Sequence, residues 1–119
     1  MGFKFEKLEV WNMALEYTDA IYKIVAQMPS CEEFNLKSQI IRAVTSISLN
    51  IAEGSTTQSN PEYARFLSMS IRSCVEVIAC LHLARRRNYI TQEVFESAYE
   101  FGDKLFAKLQ ALRKTIKKK

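Results

Sequence analysis

The sequence holds one histidine, His82, and no serine in a nucleophile-elbow sequence. A Ser-His-Asp triad needs an imidazole aligned between a nucleophile and an orienting acid. His82 stands between Leu81 and Leu83 inside a helical pattern, so it reads as a packing or interface histidine. A di-metal site in a helical bundle wants Glu-x-x-His on two helices, and a lone histidine cannot supply that. Gly2, Gly54 and Gly102 are isolated, which leaves no glycine-rich phosphate loop. Cys31, Cys74 and Cys80 include no Cys-x-x-Cys. Cys74 and Cys80, six apart on one helix, face different directions and cannot pair with each other. The expectation is reduced, partly buried thiols in a cytoplasmic protein, with no catalytic residue, metal or other cofactor.

Two other patterns have chemical content. The first is a polar row: Gln39, Arg42, Ser46, Asn50 and Glu53 recur at intervals of three or four and fall on one narrow helical stripe. The stripe lies beside an apolar seam and ends at Gly54. The following helix offers Arg72, Ser73 and Glu76. Three readings fit the row: an ordinary solvated face, a hydrogen-bonded network fixing helix or subunit register, or a ligand site.

The second pattern is charge. The formal net charge is +4, but eight basic residues lie in two clusters, Arg85 to Arg87 and Arg113, Lys114, Lys117, Lys118 and Lys119. The other nine basic residues are outnumbered by thirteen acidic ones. A slightly acidic body thus carries two basic patches, which attract phosphate or merely complement the C-terminal ends of helix dipoles. Thirteen aromatic residues could stack on unpaired bases, but at helical spacing core packing is the simpler reading.

These residues must be positioned by helices. Glycine and proline are scarce, which favours long uninterrupted elements. Helix 1 is expected over about Glu6 to Met28, with a seam of Val10, Ala14, Tyr17, Ile21, Ile24 and Met28. A second row holds Leu8, Trp11, Leu15, Thr18 and Val25. Pro29 ends the helix, and Ser30 and Glu33 have capping-box spacing for a short turn. Helix 2 is expected over about Lys37 to Ser55 with the seam Ile40, Val44, Ile47 and Ile51.

Helix 3 should start with Asn60 as cap and Pro61 as first helical residue, and run to about Arg87, where Asn88 terminates it. Its seam is Tyr63, Leu67, Ser70, Cys74, Val77, Leu81 and Ala84. Thr91 caps helix 4, which carries Val94, Ala98, Phe101, Leu105, Leu109, Leu112 and Ile116 and frays through Lys117 to Lys119. Short connections favour antiparallel neighbours, so residues 1–119 are expected to form one all-α, up-down-up-down four-helix bundle. The arginine cluster then lies at one pole, and the lysine tail at the other, near Lys4 and Lys7. No secretory signal is visible, and the uncharged stretch Ala43 to Ala52 is too short to span a bilayer, so no membrane association is expected.

The chain also resembles a known family: the four helix bundle proteins named after reading frames in intervening sequences of bacterial 23S ribosomal RNA genes. The resemblance rests on the opening Phe5-Glu6-Lys7-Leu8-Glu9-Val10-Trp11, on Phe34-Asn35-Leu36, and on Gln39-Ile40-Ile41-Arg42-Ala43 with Ser46-Ile47. Its strongest marker is Asn50-Ile51-Ala52-Glu53-Gly54. Tyr63-Ala64-Arg65-Phe66-Leu67 and Ser73-x-x-Glu76 follow. Asn35 stands where that family usually has glycine, and asparagine tolerates a left-handed backbone there.

The resemblance implies a homopentameric ring without enzymatic activity. It also implies kinship with accessory proteins of diversity-generating retroelements, which pair with a reverse transcriptase and bind nucleic acid. Two functional expectations follow. One is an oligomer bound to RNA or DNA, with Arg85, Arg86, Arg87, Arg113, Lys114 and Lys117 as phosphate contacts. The other is a scaffold that docks a partner enzyme such as a reverse transcriptase. In both, Gln39, Arg42, Ser46, Asn50, Glu53, Gly54, Ser73 and Glu76 serve structure or subunit contact.

Overall fold

The computed structural model describes residues 2–119. A short 3₁₀ turn, Lys4–Lys7, leads into α1 (Glu9–Val25). A second turn, Ser30–Glu32, precedes α2 (Leu36–Ser55). α3 (Asn60–Arg86) and α4 (Gln92–Lys118) follow. The seams expected for the first three helices are buried along their whole lengths, from Val10 to Met28, Ile40 to Ile51 and Tyr63 to Ala84. In α4, Ala98, Leu105, Leu109 and Ile116 are buried, while Val94, Phe101 and Leu112 are partly covered. Rows at alternating three and four bring one face of each rod inward, and burial of that face stabilises helices that would be marginal alone. An 18-residue stretch of α3 has a mean hydropathy of 1.5, apolar enough to cross a membrane by length and composition, but the helix's apolar seam packs inside the bundle.

Cross-contacts fix the directions. The Ser70 hydroxyl donates to the Ile47 carbonyl (2.9 Å) in the core, and Gly54 lies against Tyr63 and Phe66, so α2 and α3 are antiparallel. Arg113 reaches Ser68 (3.0 Å) and Arg85 reaches Gln92 (3.0 Å), so α3 and α4 are antiparallel. Lys108 pairs with Glu9 (3.2 Å) and Phe101 stacks on Tyr17, so α4 and α1 are antiparallel as well. The bundle therefore runs up-down-up-down.

Several helix ends differ from the sequence reading, each for a local reason. α1 begins at Glu9, because Leu8 is extended and separates it from the 3₁₀ turn. It ends at Val25, and Met28 packs into the core from the following turn. Ser59, not Asn60, caps α3: its extended backbone lets Oγ accept from the Glu62 amide at 3.2 Å, which moves Pro61 to the second helical position.

Asn35 does not adopt a left-handed backbone. Its side chain bonds Glu32 and Gln39, and the Glu32 carboxylate accepts from the Leu36 amide at the start of α2. The left-handed residue is Asn88 (φ 61°), where the amides of Asn88 and Tyr89 bond back to Arg85 and Ala84 and close α3 with a Schellman motif. α4 is helical to Lys118.

Gly102 shows how closely α1 and α4 approach. A Cβ there would stand 2.5 Å from the Tyr17 hydroxyl and 3.1 Å from its Cζ. That hydroxyl is buried without a hydrogen-bond partner, and burial holds its pKa well above the usual tyrosine range. Gly102→Ala is expected to cost about 2 kcal/mol through overpacking. Tyr17→Phe loses no hydrogen bond and should recover at least half of that loss in the double variant. Thermal unfolding of the three variants checks this; full additivity of the two changes would contradict it.

Candidate nucleic-acid interface

The two basic clusters lie at opposite poles, as expected, but they are not equivalent. At the first pole the Arg85 guanidinium is spent on the α3–α4 turn. It donates to Gln92 Oε1 and Asn88 Oδ1 at 3.0 Å and to the Ile90 carbonyl at 3.4 Å. Arg87 acts on Glu32, whose carboxyl is held below its ordinary pKa chiefly by the hydrogen bond from Tyr89, with smaller contributions from Asn35, Leu36 and Arg87. The Tyr89–Glu32 bond (2.7 Å) clasps the α1–α2 and α3–α4 turns together. Lys37 pairs with Glu33 nearby. This pole therefore answers much of its own positive charge, and exposed Arg86 is its freest cation.

At the second pole, α4 ends beside the start of α3. Asn60, Pro61, Ala64, Arg65 and Ser68 face Lys117 and Lys119 across a cleft of about 440 Å³. Half-buried Arg113 is oriented over α3 by its bond to Ser68. Lys4 belongs to this end too, with Nζ 5.7 Å from the centre of the Tyr63 ring. Lys114, Lys117, Lys118 and Lys119 are exposed, and among the described residues none forms an ion pair. Amides in the first turn of α3 add partial positive charge at the same place. Arg65 is partly answered by Glu62 in the preceding turn.

The sequence places Lys119 in the lysine tail without naming it a phosphate contact, and it does not bring Arg65 or Ser68 to this site. Arg65 carried a signal, being a cation one turn into a helix whose start had been located. Its meeting with the α4 tail depends on the pairing of α3 with α4.

Among the described residues, the polar row of α2 forms no bond to another helix. Asn50 donates to the Ser46 carbonyl (2.8 Å) and hydroxyl (2.9 Å), and Gln39 donates to Asn35 (3.1 Å). Arg42 and Glu53 are exposed, and among the described residues their side chains have no partner, nor do those of Ser73 and Glu76. The hydrogen bond that locks α2 against α3 is the one from Ser70, a residue the sequence reading had placed only in a seam. Arg42, Ser46, Asn50 and Glu53 line a shallow open groove with Leu49, which is 53% exposed.

His82 is exposed and packs edge-on against Phe95 and Tyr99 of α4, at ring distances of 4.9 and 6.0 Å. Cys74 and Cys80 are buried, and burial pushes the Cys74 thiol up to about 12, so it is an inert core group. Cys31 is exposed, in contrast to the expectation of partial burial.

Fold and site together define an antiparallel four-helix bundle with one strongly basic pole and, among the described residues, a polar ridge along α2 whose bonds stay within its own helix and the residue before it. The chain belongs to the 23S rRNA-intervening sequence protein family, whose model matches residues 6–111. It is similar to a crystal structure of a protein of unknown function from the S23 ribosomal protein family of Bacteroides thetaiotaomicron. The two share 28% sequence identity with a TM-score of 0.82, over 88% of this chain and 98% of that one. No curated protein matches the chain.

Proposed function

We propose that this protein is a non-enzymatic, cytoplasmic homo-oligomer that binds the phosphate backbone of RNA or DNA through the pole where α4 ends beside α3. The observation that carries the reading is the cluster of unanswered cations around the cleft between Arg65 and Ser68 on one side and Lys117 and Lys119 on the other. Of the six phosphate contacts expected from sequence, Arg113, Lys114 and Lys117 carry the main load at this pole. Arg86 and Arg87 are secondary, and Arg85 chiefly holds its turn together. A five-membered ring, as the family resemblance implies, repeats the pole five times and turns modest single-site attraction into avidity.

Nuclease-treated protein titrated into labelled single-stranded RNA and duplex DNA at low salt tests the reading. Saturable binding to either is expected. A chain that binds neither contradicts the reading, and one that instead captures a reverse transcriptase supports the scaffold alternative.

A further inference from the structure

We infer that the groove between α1 and α4 is a binding site for a small amphipathic amine, one ammonium group carried on an apolar body. The groove shares no residue with the cleft at the tail pole.

The groove follows from side-chain size. Tyr17 of α1 stacks on Phe101 of α4 at a ring distance of 5.4 Å, which fixes the register of these antiparallel helices. Three residues on from Tyr17 is Ala20, and three back from Phe101 is Ala98. Two large rings span the gap between the helices at one level, and two methyl groups cannot fill it one turn away. A cavity of about 620 Å³ opens there, with Ala20, Ile24, Val94, Ala98 and Phe101 along its floor. That volume falls within the range of small-molecule sites, and an apolar floor with a few charged groups at the edge is their usual make-up. Ala20, Val94 and Phe101 keep part of their surface open to water, so covering them with an apolar body is favourable.

The edge selects the charge of the ligand. At the Phe101 end, Glu16 and Asp19 stand exposed and three apart on α1. At the Val94 end, Lys23 of α1 and Glu93 of α4 stand on opposite banks. Among the described residues none of these four forms an ion pair. Farther along the same interface the charges are matched, Lys108 of α4 with Glu9 of α1 at 3.2 Å.

Lys23 and Glu93 offset one another in charge, and Glu93 also suits the first turn of α4. Glu16 and Asp19 have no such answer, and like charges one turn apart on a helix repel. A cation between them relieves that repulsion, whereas an anion adds to it. The ammonium group therefore sits at the Phe101 end. Its apolar body runs along the floor towards Ile24, a rise of about 12 Å from Glu16. A helix from a partner protein would meet the same charges, but it needs far more buried area than a floor of five side chains provides.

The test is a titration of the full chain followed by nitrogen–proton correlation NMR, with phenylbutylamine as the probe. Phenylbutyrate keeps the apolar body and reverses the charge. Butylamine keeps the ammonium group and lacks the ring. Phenylbutylamine should give saturable shifts at the amides of Ala20, Ile24, Ser97 and Ala98, with affinity about tenfold above either control.

Two variants locate the site. Ser97→Trp places a large ring in the groove from an exposed position and should abolish binding with the circular dichroism unchanged. Glu16→Gln with Asp19→Asn should weaken the amine by about tenfold and remove its advantage over phenylbutyrate.

Shifts that do not saturate, shifts scattered outside the groove, equal affinity for phenylbutyrate or butylamine, or undiminished binding by either folded variant each overturns the inference. So does a basic amphipathic helical peptide of lysine and leucine that saturates these amides where the amine does not, which would assign the groove to a protein segment. The readout involves no nucleic acid, so this inference and the nucleic-acid reading stand or fall separately.

Discussion

Replacing Gly54 with alanine is expected to lower stability by about 2 kcal/mol, a fall of roughly 8 °C in midpoint for a domain of this size. Two effects compete. Glycine inside a helix is less favourable than alanine by about 1 kcal/mol, so propensity alone predicts a gain. Against that, a Cβ at position 54 would lie 2.8 Å from the Phe66 Cβ and 3.1 Å from the Tyr63 ring. The Phe66 Cβ is tied to the α3 backbone and cannot swing aside, so the two helices must separate.

Their contact is the most extensive in the bundle, and separating them strains the Ser70–Ile47 bond and the packing of Ile47 and Ile51. Steric cost therefore exceeds the gain in propensity. Thermal and urea unfolding measure the net effect, and a midpoint unchanged or raised in Gly54→Ala would show that the α2–α3 approach is looser than described.

The second large effect is on binding. Lys117→Glu combined with Lys119→Glu reverses both lysines lining the cleft and should weaken RNA or DNA binding by about a hundredfold at low salt, roughly tenfold per site. Both side chains are exposed at the end of α4, so the midpoint of unfolding should not move. The same reversal at Arg85 should give the opposite division: a loosened α3–α4 turn, because its bonds to Gln92, Asn88 and Ile90 are lost, with a smaller effect on affinity. Equal losses of affinity from both poles would contradict the assignment of the tail pole.

The bundle was legible because its information is periodic. Seams such as Ile40-Val44-Ile47-Ile51 declare a buried face at any position along a helix, and all four of these residues are fully buried. Helix ends were less legible. At the start of α3, Ser59 and Asn60 are both competent caps, and the choice turns on which residue takes the extended backbone. At the start of α2, the carboxylate of Glu32 competes with Asn35 for the leading amide, an outcome that depends on the clasp to Tyr89 fifty-seven positions away.

The site was half legible for the same reason. Clusters of arginine and lysine are visible in sequence, but whether their donors are free is a tertiary fact. Arg85 is consumed by its own turn, and Arg65 joins the lysine tail only through the pairing of α3 with α4. Likewise the polar row announced itself by spacing, whereas the bond that locks α2 against α3 comes from Ser70, inside an apolar seam.

The most direct test of the central claim is the salt dependence of binding to a short single-stranded RNA. Counterion release makes the logarithm of the association constant fall linearly with the logarithm of salt concentration, with a slope set by the number of phosphates engaged. The wild type should show a steep slope, and Lys117→Glu with Lys119→Glu should flatten it by about two. A slope near zero, or one unchanged by reversing those two lysines, would contradict phosphate recognition at the tail pole.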